Sequence, residues 1–501
     1  MEDSSKSQPK KEGPAKNLSM FDIGDESTGL SITAIPSHSD LKESSFEGLN
    51  IEQKQMVSNI SEYLKGRSGL AFFLVQGGGG TGKSFSINRA LQGVDPKHII
   101  AAAPSHFAKN VLQDFLGERY KVTTIAGLLG KKVTYNDQGD QILVRINKFV
   151  PPPINFYQII LIDEGSMVND ETAVEILEYV KTGNKALIVL GDYCQLPPVN
   201  QETDSIFFDN ISAELTIPMR FQGPLFYLTQ LIRKEIIKMR SGLVPSLNIL
   251  NMETNRLSEL DESGSGYIFL NNMPLLLKAA IRRFKKGKGT GYVRLLAYRN
   301  KTIEKLNVHI RIGLYGESPM QFEKGELLIN NGGYSVQSVT GKDKQIITNG
   351  ELFKVSSATP VIGPYEIPCI SLTFEGESFD VSIVAVSTEG EEKYSNTLKR
   401  LTGLARENGQ LWRDVFAFKE SFAYFNYSYA ASIHKAQGSS INHVFIIEDD
   451  ILEVKMTTTK EKLQSIYVGI SRASYRAYIY NKLFKVDNSN LEKELLQMDV
   501  P

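Results

Sequence analysis
Gly77-Gly78-Gly79-Gly80-Thr81-Gly82-Lys83-Ser84 follows the apolar run Leu70–Val75 and leads into the helix-forming stretch Phe85–Gln92. The segment meets every fixed position of the pattern G-x-x-x-x-G-K-[ST]. A buried strand that ends in such a loop and continues as a helix makes a phosphate cradle. The glycines let backbone N–H groups from Gly77 to Gly82, Thr81 included, converge on a β-phosphate. In this pattern Lys83 reaches the β- and γ-phosphates, and the Ser84 hydroxyl ligates Mg²⁺. The expectation is a nucleoside triphosphate site in an α/β fold.

At 501 residues the chain has room for several domains, and 41% hydrophobic with 23% charged residues is ordinary soluble globular composition. A formal net charge of −1 provides no global basic field, so a nucleic-acid contact must come from a local groove. The two cysteines, Cys194 and Cys369, lie far apart without zinc-site spacing, which points to a reducing compartment and no structural disulfide. No apolar run reaches the length of a membrane span, and the N-terminus lacks a signal-peptide core. The expected setting is the cytoplasm, with no membrane partner.

Residues 1–47 are rich in Ser, Lys, Glu, Pro and Gly without periodicity and read as a disordered tail. Within it, Asn17-Leu18-Ser19-Met20-Phe21 is similar to the short peptides that dock on bacterial sliding clamps, making a clamp or other replication protein a candidate partner. From Leu49 the texture changes. The apolar runs Leu70–Val75, His98–Ala102, Gln158–Ile162 and Ala186–Leu190 alternate with helical stretches, the pattern of a parallel sheet buried on both faces. Between the second and third runs, Lys132–Tyr135 and Gln141–Ile146 alternate around Asn136–Asp140 and read as an inserted β-hairpin. A second α/β pattern lies at Tyr292–Ala297, Val444–Glu448 and Ala477–Tyr480, interrupted over 331–425 by short strands that suggest a small β-barrel.

Ile159-Ile160-Leu161-Ile162 runs into Asp163-Glu164. At the tip of a buried strand, Asp163 can hold the Mg²⁺ shell beside Ser84, and Glu164 can orient and deprotonate an attacking water. The next strand ends in Gly191-Asp192-Tyr193-Cys194-Gln195-Leu196-Pro197-Pro198-Val199, where Gln195 can contact a γ-phosphate and report its loss. The aromatic series Phe422, Tyr424, Phe425, Tyr427 and Tyr429 fits either base stacking or a strand with one face in the core.

Together, the phosphate loop, Asp163-Glu164-Gly165-Ser166-Met167 and Gly191–Pro198 resemble motifs I, II and III of superfamily 1B DNA helicases, of the RecD-like and Dda-like branch. Gly165 stands where that family more often has Ala. Asn50–Gln55 resembles the Q motif, which implies that Gln53 recognises adenine. Ala102–Ala108 resembles motif Ia and implies single-stranded DNA contacts from Pro104, Ser105 and His106. Thr124–Leu129 occupies the place of motif Ib, with Thr124 as a DNA contact and Ala126 where His is usual. Glu214–Arg220 resembles motif IV and Ile466–Ala473, read as a strand-to-helix stretch, resembles motif VI; they imply two arginine fingers, Arg220 and Arg472. Tyr429–Ser439 resembles motif V, implying phosphate contacts from His434 and Lys435 and a place near the domain interface for Gln437 and Gly438. Leu295–Asn300 resembles the segment that opens the second domain, with Arg299 where Thr is frequent and Asn300 facing DNA.

The resemblance implies two tandem RecA-like P-loop domains with an inserted β-hairpin and an inserted small SH3-like β-barrel. The expected boundaries are a tail at 1–47, domain 1A at 48–218 with the hairpin at about 131–150, domain 2A at 219–330 and 426–485, the barrel at 331–425 and a C-terminal tail at 486–501. The implied activity is ATP- and Mg²⁺-dependent unwinding, 5′→3′ on single-stranded and forked duplex DNA, by a monomer acting in replication, recombination or repair. Lys83, Glu164, Gln195, Arg220 and Arg472 carry catalysis in this reading. Two alternatives stay open: a translocase that strips proteins from DNA without separating strands, and a nucleotide-switched recruitment module.

Overall fold
A computed structural model of the chain describes residues 43–484 apart from 67, 136–140, 148, 199–200, 202, 220–222, 241, 246–257, 288, 318, 332–333, 338–343, 348–351 and 376–382. The peptide Asn17–Phe21, the hairpin tip Asn136–Asp140, Val199, Arg220 and the C-terminal tail 486–501 lie outside the described residues, as does the N-terminal tail up to residue 42.

In chain order the first unit comprises α1 (Ile51–Leu64), β1 (Phe73–Gly77), α2 (Lys83–Ala90), β2 (Ile99–Ala103), α3 (His106–Leu116), β3 (Lys121–Thr124) and α4 (Ile125–Leu128). It continues with β4 (Lys131–Tyr135), β5 (Gln141–Arg145), β6 (Ile159–Ile162), α5 (Asp170–Thr182), β7 (Ala186–Gly191) and β8 (Ala213–Leu215). Its six-stranded sheet has the order β3-β2-β6-β7-β1-β8. Every pairing in it is parallel. The four inner strands, β2, β6, β7 and β1, are buried on both sides: Phe73 and Val75 pack with Met56, Val57 and Ile60 of α1, while Leu74 points into the opposite core. α1 begins in a capping box, with Gln53 N donating to Asn50 Oδ1 and Asn50 N to Gln53 Oε1. β4 and β5 pair antiparallel, from Lys131 opposite Arg145 to Tyr135 opposite Gln141.

The second unit opens with α6 (Pro224–Arg240), β9 (Ser258–Leu260), β10 (Gly266–Leu270), α7 (Met273–Phe284), β11 (Val293–Ala297) and α8 (Asn300–Tyr315). The chain then makes β12 (Leu327–Asn330), β13 (Tyr334–Gln337), β14 (Lys344–Ile347), β15 (Leu352–Ile362), β16 (Pro368–Phe374), β17 (Ile383–Val386), α9 (Glu391–Glu407), α10 (Trp412–Glu420) and β18 (Phe425–Tyr427). It returns as β19 (Ala430–Ser432), α11 (Ile433–Ala436), β20 (Ile441–Ile447), α12 (Glu448–Leu452), α13 (Thr459–Ser471) and β21 (Ala473–Tyr480). The second six-stranded sheet has the order β19-β11-β20-β21-β10-β9, parallel except for the edge pair β9–β10.

A five-stranded antiparallel sheet, β17-β16-β15-β12-β18, hangs from this unit. Its two outer edges meet at one bridge, Ala385 to Ala423. The 331–425 stretch is not all short strands: it also folds α9 and α10, whose apolar residues Tyr394, Leu398, Leu401 and Phe418 pack, together with Phe422 just after α10, on Ile367 and Cys369. Of the aromatic series, Phe422 and Tyr429 are buried and Phe425 and Tyr427 pack partly into the small sheet's core. Tyr424 is 62% exposed, so one ring of the series is free to stack. One apolar cluster runs through both large sheets, from Leu74, Ile162 and Val189 past Cys194 and Leu196 to Leu228, Tyr467 and Val444.

Candidate active site
β1 lies between β7 and β8, and β6 lies on the other side of β7. The loops after β1, β7 and β6 therefore emerge side by side at the C-terminal edge, where ligands of open α/β sheets bind. This arrangement brings the glycine loop, Asp192–Gln195 and Asp163–Glu164 together.

The loop is shaped for backbone approach. Gly82 has φ +81°, and a Cβ there would lie 2.4 Å from Gln53 Nε2. Gln53 is fully buried; its Nε2 donates to Thr81 O at 3.0 Å while its Oε1 accepts from Asn50 N at 3.0 Å. Each end of the amide makes one bond, so Gln53 braces the loop and keeps a second Nε2 hydrogen and a second Oε1 lone pair. Thr81 Oγ1 donates to Gly78 O at 2.9 Å, and Lys83 Nζ to Gly77 O at 2.6 Å and Gly78 O at 3.2 Å. Ser84 sits in the first turn of α2, beside the N–H groups that have no helical acceptor. A loop of converging N–H groups with one ammonium fits a polyphosphate.

Asp163 and Glu164 follow β6 directly. Glu164 adopts φ 53°, a left-handed conformation costing about 1–2 kcal/mol, and its N–H donates to Asp163 Oδ1 at 2.9 Å. Loss of water raises the Asp163 pKa, partly countered by Lys83. Loss of water and the adjacent Asp163 carboxylate push Glu164 up to about 7, against the pull of Arg472 and Lys83. Two desolvated carboxylates at the sheet edge where the phosphate loop also emerges offer hard oxygen donors that suit a Mg²⁺ ion, which Asp163 and Ser84 would hold. Bound there, the ion would neutralise phosphate charge. Gly165 is required by packing: an alanine Cβ would come within 2.4 Å of Val189 Cγ1, so the residue commoner in the resembled family does not fit without movement of Val189.

The second unit closes the cleft. Ile466–Ser471 lies in α13 and only Ala473 begins a strand, so the motif VI stretch runs helix to strand, the reverse of the sequence expectation. Arg472 caps that helix and is buried; it donates to Val468 O, Ser439 O and Ser471 Oγ, and lies in the field of Glu164. Burial lowers its pKa and Glu164 offsets part of that. Gln437 Nε2 donates to Gln195 Oε1 at 2.8 Å, so the expected γ-phosphate sensor is already in contact with the motif V segment. Gly438 approaches α3, its built Cβ 3.9 Å from that of Ala108.

Sequence reasoning missed Arg233, Gln464 and Tyr467 as individual site residues. Arg233 Nη1 donates to Asp192 Oδ1 at 2.6 Å and Tyr467 Oη to Asp192 Oδ2 at 2.6 Å, while Gln464 Nε2 donates to Tyr193 O at 3.2 Å. Arg233 lies on α6 and carries no local signature. Tyr467 and Gln464 are legible only as the buried face of α13.

The candidate DNA contacts occupy another part of the same edge. Pro104, Ser105 and His106 follow β2, Thr124 ends β3, Asn300 follows β11, and His434 and Lys435 follow β19. β3–β2 and β19–β11 are adjacent strands at one side of each sheet, away from β1 and β7. Ser105 and Thr124 both cap helices, accepting from Ala108 N and Gly127 N. His434 packs edge-on to Tyr298 with its pKa lowered by burial, and Lys435 Nζ donates to Asn331 Oδ1 at 2.9 Å. Arg299 does not stand free for a ligand; it is bonded to Asp450 and Glu453.

A family model described as an AAA domain matches residues 48–222, and one described as a UvrD-like helicase C-terminal domain matches residues 427–480. The ATP-dependent DNA helicase dda of Enterobacteria phage T4 is 24% identical over 463 residues, covering 86% of this chain and 99% of that protein. An uncharacterised protein of Acanthamoeba polyphaga mimivirus is 22% identical over 517 residues, covering 85% and 98%. Among solved structures, Bacteroides Pif1 bound to ssDNA is similar at 15% identity with a TM-score of 0.45, over 89% of this chain and 96% of that one. The likeness to DNA helicases expected from the motifs is thus found along most of the chain. Among the described residues no helix is long and apolar enough to cross a membrane.

Proposed function
We propose that the chain is an ATP- and Mg²⁺-dependent DNA helicase that moves 5′→3′ along single-stranded DNA and separates forked duplex. The observation that carries this reading is the loop after β7. Its Asp192, Tyr193 and Gln195 each hold a side chain of the second unit, while β1, next to β7, delivers the phosphate loop. Binding or loss of a γ-phosphate at Lys83 and Gln195 then shifts the second unit against the first. The candidate DNA contacts ride on both units, so relative movement of the sheets is movement along a strand. Glu164 takes the proton of the attacking water, with Arg472 and Arg220 neutralising developing charge. The 5′→3′ direction rests on the superfamily 1B resemblance of the motifs.

In the same reading the domains divide at about 218/219 and 330/331, the five-stranded sheet is an SH3-like barrel closed at Ala385–Ala423, and β4–β5 is the pin that splits the duplex. The pin stands on the first unit: Lys131 is ion-paired to Glu175, and Arg145 donates to Tyr179 Oη at 3.3 Å. The Asn17–Phe21 peptide would recruit a sliding clamp. A strand-displacement assay with paired 5′- and 3′-tailed duplexes tests the reading. Unwinding of the 5′-tailed duplex alone is expected, and deleting Asn136–Asp140 should abolish it while ATP hydrolysis persists. Hydrolysis without strand separation by the intact chain would favour the protein-stripping translocase.

A further inference from the structure
Arg233 belongs to none of the motif segments, yet it stands against the phosphate loop. α6 packs with α13, β10 and β21, so the guanidinium is presented by the second unit. Leu228, Ile232 and Ile236 anchor the same helix in the shared core. Arg233 is 5% exposed. Its Nη1 donates to Asp192 Oδ1 at 2.6 Å and to Tyr467 Oη at 3.2 Å. A Cβ built on Gly78 would lie 3.1 Å from that nitrogen and 3.3 Å from Tyr467 Oη, so the second glycine of the loop is covered by this pair. Gly78 O accepts from both Lys83 and Thr81. The loop strand is thereby pinned on one side by its own lysine and on the other by an arginine of the facing unit.

Asp192 links the two. Burial would raise its pKa, but Arg233, Lys83 and the Tyr467 hydroxyl together hold it below the ordinary value. Among the described residues, Arg233 Nε and Nη2 donate to none, which leaves donors of this guanidinium available beside the loop. A γ-phosphate arriving at Lys83 would draw the ammonium off the Gly77 and Gly78 carbonyls and place new negative charge in the field that Lys83 and Arg233 share with Asp192.

We propose that Arg233 is a positioning residue that registers γ-phosphate occupancy of the loop and transmits it to the second unit through the Asp192–Arg233–Tyr467 cluster. This rests on the nucleotide site of the function proposed above, but not on DNA or unwinding. The geometry distinguishes it from Arg472, which is tied to α13 carbonyls and to the Glu164 side of the cleft. Arg233 instead acts on the loop itself and on the carboxylate that follows β7.

The test is calorimetric titration of the full chain with Mg²⁺ and either ADP or ADP plus aluminium fluoride, without DNA. The double variant Arg233→Met/Asp192→Asn removes both charges, so that neither is stranded in the interior. The preference for ADP–aluminium fluoride over ADP is expected to fall about tenfold, an ordinary coupling magnitude, with ADP affinity little changed. Arg233→Lys, which keeps the charge, should recover part of the preference. A merely structural ion pair would lower the melting temperature and leave the preference within about twofold of the parent; that result overturns the proposal. Should the double variant not fold, Tyr467→Phe keeps the ring and removes one bond to Asp192; a preference unmoved there overturns it equally. Because the readout needs no strand, failure of DNA-stimulated hydrolysis in the parent would strike the helicase reading and leave this one standing.

Discussion
The turn from β1 into α2 and the turn from β11 into α8 are built alike and used differently. In each, a fully buried parallel strand ends and a helix begins, its first N–H groups without the acceptor four residues back that later turns have. After β1 the turn is glycine, and its ammonium, Lys83, rests on the loop's own carbonyls. After β11 the anion is already supplied by the protein. Asp450 Oδ2 accepts from Tyr298 N at 2.8 Å and Arg299 N at 2.7 Å, and Oδ1 accepts from Arg299 Nε and Thr302 Oγ1, both at 2.5 Å. A helix N-terminus attracts an anion in both places. Whether it becomes a ligand site depends on whether the chain fills it with its own carboxylate. The first sheet keeps the place for a phosphate; the second fills it with Asp450, and its unit presents arginines to the cleft.

The sharpest way to break this comparison is to remove the arginine that the second unit lends. Arg472→Ala is expected to slow ATP hydrolysis by about 10³-fold while nucleotide still binds, read by steady-state rates and titration. A loss of binding with unchanged turnover would place Arg472 outside the cleft chemistry. Next is the filled turn. Asp450→Asn should cost about 3–5 kcal/mol of stability by denaturant unfolding, because it weakens a buried, four-donor carboxylate, and should leave the KM for ATP unchanged. A large rise in KM without destabilisation would show the second turn to be a ligand site as well.

The smallest effect concerns Glu448 at the start of α12, buried beside Asn481 Nδ2 at 2.9 Å. Burial pushes its pKa up to about 7 from an ordinary value of 4.5. A carboxyl raised in the folded state favours folding while protonated, so this contribution is present below about 4.5 and is lost as pH rises through about 7. Glu448→Gln keeps the acceptor without the charge. It should raise stability by roughly 2–3 kcal/mol at pH 8 and by almost nothing at pH 4. An equal effect at both values would mean that the carboxyl is not titrating.

Four strands of the first sheet, β1, β2, β6 and β7, were legible because they are short and mostly apolar, and three of them lead into chemical signatures, Gly77–Ser84, Asp163–Glu164 and Gln195. The edge strands β3 and β8, half polar and only partly buried, carried no such signal. The motif VI stretch was read in the wrong order for a physical reason. Leu463–Ile470 of α13 is buried all round, and a helix without a polar face has no 3.6-residue alternation to distinguish it from a buried strand. α9 did carry a signal, with Tyr394, Leu398, Leu401 and Ala405 at spacings of four, three and four, obscured by the polar residues between them. Arg233 was not legible at all. One arginine in an amphipathic helix gains meaning only when folding sets it against Asp192 and Gly78.

The central claim is that one cleft, lined by both units, couples ATP hydrolysis to a DNA strand. The direct measurement is the ATP hydrolysis rate of the full chain with and without single-stranded DNA, beside Lys83→Ala as a reference. Strong stimulation by the strand, abolished in Lys83→Ala with its fold intact, is the predicted result. Hydrolysis indifferent to the strand, or surviving loss of the Lys83 ammonium, would contradict the account.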